Sequence, residues 1–223
     1  TGKQRTLLGF EEDTAPATAQ KESQARIRGI PVAAFFPVQG GPVHALLYGE
    51  APGPRGADKS GIPFWGDGAG LPLYRALVAA HCAQVPKAAW SEWDGQRFLN
   101  EALRPEVRGV ALSNAFPLCP SADGVRFRAP KRAELLSAEN LERLRKELAD
   151  GRRLGAARVI TLGKCAADTL TPLAQEAGME VVRLVHPSAQ GLLSEAPERG
   201  RGQRLADLQA AWEERLRTVL SLR

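Results

Sequence analysis

Three side chains stand where short apolar runs give way to polar loops, Glu50, Asn114 and His186, and Asp67 follows within the first of those loops. A carboxylate can stabilise a neighbouring positive charge and position a water molecule. An asparagine amide donates and accepts through one group, so it can read a donor and an acceptor set side by side. A histidine can donate to an atom on which negative charge builds, which is worth roughly 3–4 kcal/mol when the donor is preorganised. Phe64 lies between Pro63 and Trp65 in the first loop. An aromatic there is either a stacking plate for a flat base or a packing residue beneath the loop. His44 and His81 have no polar loop around them and are read as structural.

These residues need strands to carry them. Apolar runs at 44–48, 107–112, 158–162 and 181–185 read as strands, each followed by a loop rich in Gly, Pro, Asn or Ser. Helical spacing of apolar residues marks 71–83, 133–149, 164–177 and 205–220, and 187–202 reads as a loop before the last helix. Alternating strand and helix predicts a three-layer α/β/α sandwich around a central, mainly parallel four-stranded sheet. Ligands of such sheets bind beyond the carboxyl ends of the strands. The first, second and fourth runs end in Gly49-Glu50-Ala51-Pro52-Gly53, Ser113-Asn114-Ala115-Phe116-Pro117 and His186-Pro187-Ser188, so these loops are expected to converge on one pocket.

The chain has 223 residues, which suits a single domain over 25–223 preceded by a polar tail over 1–24, expected to be mobile. No run approaches the ~20 apolar residues of a membrane helix, and the tail lacks the apolar core of a secretory signal. A monomer in a cytoplasmic, nucleoid-accessible compartment is therefore expected. The net charge of +5 is carried mostly by arginine and points mildly toward a polyanion. Cys82, Cys119 and Cys165 are widely spaced and lack a Cys-x-x-Cys pair, against a disulfide framework or a four-cysteine metal site. They read as buried thiols.

The loop from Gly49 to Gly70 carries Gly-Glu-Ala-Pro-Gly, then Gly-x-Pro-Phe, then Gly-x-x-Gly. It resembles the first motif of the uracil-DNA glycosylase superfamily, nearest the family 4 enzymes. Gly56 through Gly61 with Gly66-Asp67 is similar to family 5, and the Pro-Arg-Gly insert to the single-strand-selective monofunctional group. Asn114 through Pro120 resembles the loop that reads uracil, and His186-Pro187-Ser188 the superfamily's second motif. The three motifs span most of the chain, in order.

The resemblance implies a monofunctional DNA glycosylase acting in base excision repair on DNA damaged by deamination. Such an enzyme flips uracil or a related base from DNA and hydrolyses its bond to the sugar. Glu50 would stabilise the sugar cation and activate water, with Asp67 the competing acid, as family 5 implies; Glu50 is preferred. His186 would donate to O2 of the leaving base. Asn114 would match the N3–H and O4 edge of uracil and refuse cytosine, with Phe64, Gly49 and Ala51 completing the base site. Ser188, Gln190, Arg199 and Arg201 would contact DNA. Leu192 would fill the hole left by the flipped base, or else pack on the last helix.

Two departures narrow the expectation. The cysteine set of family 4 is incomplete, since only Cys119 falls near a ligand position, so no metal and no cofactor are expected. The basic segment from Gly124 to Pro130 has no histidine, unlike relatives that link covalently to DNA, and is read as a phosphate or minor-groove contact. The rival reading is a DNA- or nucleotide-binding protein of the same fold that does not cleave. A dinucleotide enzyme is disfavoured because Gly-x-Gly-x-x-Gly does not follow the first strand.

Overall fold

In a computed structural model, residues 29–221 are described; the segment 1–24, expected to be a tail, lies outside them. The strands are β1 (Val43–Gly49), β2 (Ala83–Gln84), β3 (Glu106–Val107), β4 (Gly109–Asn114), β5 (Arg158–Leu162) and β6 (Glu180–Leu184). The helices are α1 (Ala57–Ser60), α2 (Gly70–Ala79), α3 (Gly95–Asn100), α4 (Arg132–Leu135), α5 (Ala138–Arg153), α6 (Lys164–Glu176), α7 (Ala189–Glu195) and α8 (Leu205–Ser221). Short 3-10 turns occupy Lys87–Ser91 and Pro197–Gly200.

β4, β1, β5 and β6 form one parallel sheet in that order. Side chains alternate across it, because successive residues of a strand point to opposite faces. Ala45 and Leu47 enter a core with Leu73 and Leu77 of α2 and Trp212 and Leu216 of α8. Leu46 and Tyr48 enter a second core with Leu144 and Leu148 of α5 and Leu170 and Leu173 of α6. The result is the expected three-layer α/β/α sandwich, its sheet buried on both faces as crossover helices require. The outer edge of β4 is covered at Phe35, whose N–H and C=O both pair with Leu112 at 2.8 and 3.0 Å.

Three expected boundaries are corrected. The run 107–112 is broken at Gly109, whose φ of +70° is open to glycine at little steric cost. Val107 therefore belongs to β3, which pairs antiparallel with β2 in a separate ribbon, and β4 runs on through Asn114. The helix expected over 133–149 is two helices, because Ser137 takes an extended conformation and its side chain caps α5 by accepting from Asn140 N–H. The loop expected over 187–202 contains α7, capped by Ser188 through Gly191 N–H.

Candidate active site

The ends of β4, β1 and β6 carry the three motif loops. The last β1–β4 pair is Gly49 with Asn114. Pairing continues one step further, with Ala115 N–H donating to Gly49 O at 2.8 Å and Phe116 N–H to Glu50 O at 2.9 Å. Across β5, Gly163 N–H donates to Leu184 O at 2.8 Å, which sets the start of α6 beside the β6 end that carries His186. The chain leaves β1 toward β4 and leaves β5 toward β6, so the sheet order reverses between β1 and β5. That reversal opens a crevice at the strand ends, where open parallel sheets bind ligands.

Two cavities share this crevice. One of about 530 Å³ is lined by Glu50, Ala51, Phe64, Asp67, His186 and Gln190, among others. The other, about 1140 Å³, has Glu50 and His186 in common with it and extends along Lys164, Cys165 and Arg132.

Glu50 is half-buried, and loss of water raises its pKa above the ordinary carboxylate value. The Cys165 thiol, on the first turn of α6, donates a hydrogen bond to it and pulls the other way. Burial and the Glu50 charge push Cys165 itself up to about 12, so the thiol stays protonated and remains a donor. Asp67 is placed differently. Burial raises it to about 6, against the lowering effect of hydrogen bonds from the backbone N–H groups of Ala57, Gly53 and Gly56. The Gly53 N–H bond measures 3.2 Å. Asp67 thus ties the glycine-rich loop to itself while touching the smaller cavity, whereas among the described residues the hydrogen bond that acts on Glu50 comes from a side chain, Cys165.

His186 is pushed down to about 4 by burial, so its imidazole is neutral at physiological pH. Ser188 N–H donates to its Nδ1 at 3.3 Å. An Nδ1 that accepts leaves the proton on Nε2, making that nitrogen a donor.

Asn114 is buried, 2% exposed, and lies in the lining of neither cavity. It meets Phe64 at Gly49: a Cβ on Gly49 would lie 2.7 Å from Asn114 Oδ1 and 2.5 Å from the Phe64 ring, so only glycine admits this approach. Among the described residues, no group accepts a hydrogen bond from Asn114 Nδ2. Phe64 holds a φ of +63°, a left-handed conformation rare for an aromatic residue and one that clusters at functional sites. Its neighbour Trp65 anchors the loop, buried against Tyr74, Trp93 and Phe98 and donating to Leu103 O at 2.9 Å.

A polar cluster behind the Asn114 strand end was not apparent from the sequence. Arg143 on α5 donates to the carbonyls of Asn114 and Ala115 at 3.0 and 3.1 Å and pairs with Glu147. Glu147 accepts from Ser113 at 2.8 Å, and Asn140 donates to Ala115 O at 2.9 Å. Tyr48, raised well above its ordinary value by burial and by Glu147, completes the group. The only available signal was the spacing of Asn140, Arg143 and Glu147 along one helical face. No family model matches the chain, and a search of curated proteins returns no match.

The remaining expected residues divide. Ser188 and Gln190 line both cavities, and the Ser188 hydroxyl oxygen also accepts from Gly191 N–H at 3.1 Å. Arg199 and Arg201 are exposed but line neither cavity. Leu192 is corrected. It is 5% exposed and packs in the core with Trp212 and Leu216, because α7 turns its apolar side onto α8. It does not project from the surface as a wedge. Among the described residues, no group of three or more His, Cys, Asp or Glu side chains is placed to hold a metal ion, and no helix is long and apolar enough to cross a membrane.

Proposed function

We propose that this protein is a monofunctional DNA glycosylase, which takes a flipped uracil or related deaminated base and hydrolyses its bond to the sugar, leaving an abasic site. The observation that carries the reading is Asn114. A buried amide donor without a partner among the described residues costs about 1–3 kcal/mol, and here it lies beside Phe64, which itself lines the cavity with Glu50 and a neutral His186. A planar base bearing an acceptor beside a donor satisfies it. Uracil O4 accepts from Asn114 Nδ2, and its N3–H donates to Oδ1. Cytosine presents the reverse and would leave both groups unpaired.

As the glycosidic bond breaks, the sugar gains positive charge and the base gains negative charge. The Glu50 carboxylate stabilises the sugar and orients the water that attacks it. His186 Nε2–H donates to the base oxygen, and a neutral donor does so without itself losing a proton. Phe64 stacks on the base, and Asp67 holds the loop that carries both.

The test is incubation with oligonucleotides bearing uracil, hypoxanthine, xanthine or 5-hydroxymethyluracil, followed by alkali to cut abasic sites. Uracil strands are expected to be cut, and Glu50→Gln to lose roughly 100-fold or more of the rate. Cleavage of none by the native protein would leave only a binding protein. Full activity in Glu50→Gln with none in a folded Asp67→Asn would exchange the roles of the two acids.

A further inference from the structure

We propose that the larger cavity is the track for the single DNA strand flanking the flipped nucleotide, with Phe127 as the plate on which the adjacent base stacks. This rests on the glycosylase reading for the flipped nucleotide, but not for the binding itself. The smaller cavity, about 530 Å³, is within the size range of a site for one small planar ligand. The larger, about 1140 Å³, exceeds that range, and the two share Glu50, Phe127, His186, Ser188 and Gln190, so a ligand seated in one continues into the other.

The wall of the larger cavity has the chemistry of a nucleic-acid strand. Phe127 and Leu136 are each 45% exposed and both line it. Exposed apolar side chains beside a polar site mark a contact surface. Arg132 and Lys164 line the same cavity beside Glu50 and Asp168, with Lys164 paired to Asp168 at 3.2 Å, and Arg126, Arg128 and Lys131 flank Phe127 and Arg132 in the chain. An exposed aromatic plate in a segment that carries four cations between 126 and 132 fits bases on a phosphate backbone. The plate is also held from both sides. Asp123 Oδ1 accepts from the N–H groups of Val125 and Arg126 at 2.9 and 2.8 Å, and Arg128 forms a two-pronged pair with Glu134 at 2.9 and 3.0 Å. The segment on either side of Phe127 is therefore held before binding, which lowers the cost of ordering it. With Leu192 buried in the core, Phe127 is the large apolar side chain exposed at the mouth shared by both cavities.

The experiment measures fluorescence anisotropy of a labelled, uracil-free single strand of about 15 nucleotides with the native protein, Phe127→Ala and Phe127→Trp. A parallel series measures KM and kcat on the same strand carrying one uracil. Phe127→Ala is expected to weaken binding roughly tenfold and to raise KM more than it lowers kcat, with Phe127→Trp restoring affinity. Native affinity in Phe127→Ala would overturn the proposal, as would a folded Phe127→Trp that binds as weakly as the alanine variant. Phe127-dependent binding without any excision by the native protein would sink the glycosylase reading and keep this one. Excision with Phe127-independent binding would do the reverse.

Discussion

Glu50 and Asp67 are both carboxylates raised by burial, but their neighbours assign them different work. Asp67 is occupied by three backbone N–H groups of its own loop, while Glu50 faces the cavity with one thiol donor, Cys165. That thiol favours the ionised form of Glu50. Cys165→Ala removes it, so the acid limb of the pH profile of kcat/KM should move to higher pH. Cys165→Ser, which keeps a donor, should move it less. The acid limb itself should lie above the ordinary glutamate value of 4.5, because activity needs the carboxylate and burial opposes it. An unmoved limb in Cys165→Ala would separate the thiol from Glu50. The placement of Glu50, Asn114 and His186 at the ends of strands was legible from the sequence. The Cys165 contact was not, since Cys165 follows Glu50 by more than a hundred positions and meets it only because β5 pairs with β1.

At the scale of elements, α7 and α5 decide two questions that periodicity left open. α7 is only seven residues long, rich in Gly, Gln and Ser, and lies in a segment that reads as a loop. Its helix is held by the Ser188 cap and by Leu192, which packs against α8, where Trp212 donates to Val185 O at 2.8 Å. Leu192→Ala should therefore cost about 2–5 kcal/mol of folding stability, read by denaturant unfolding, as expected for a large-to-small core change. A residue that inserted into DNA would instead lose activity at unchanged stability. α5 carries the Arg143–Glu147 pair behind Asn114, and its bonds to the Asn114 and Ala115 carbonyls fix the strand end from which the amide projects. Strong periodicity revealed α6 and α8 to within one residue at each end, but merged α4 with α5. The short α1, α3 and α4 depend on caps and tertiary contacts that leave little periodic trace.

For the whole molecule, the charge of +5 and the basic run at 126–132 predict that the proposed DNA binding is electrostatic in large part. Raising salt from about 50 to 200 mM should raise KM for a uracil-bearing strand roughly tenfold, with log affinity falling linearly against log salt. A salt-independent KM would remove phosphate contacts from the mechanism. The sandwich itself was written in the order of apolar runs, because a buried parallel sheet demands unbroken hydrophobic strands joined by amphipathic helices. The motif loops were equally visible, because glycine, proline and polar residues cannot continue those elements. Local sequence does not encode distances between strand ends. The order β4-β1-β5-β6 places Asn114 against Gly49, brings Cys165 to Glu50, and sets Phe127 at the junction of two cavities. Those meetings depend on crossovers of many residues and on which helix face each sheet buries. They came from packing, as did the burial that neutralises His186 and places Leu192 in the core.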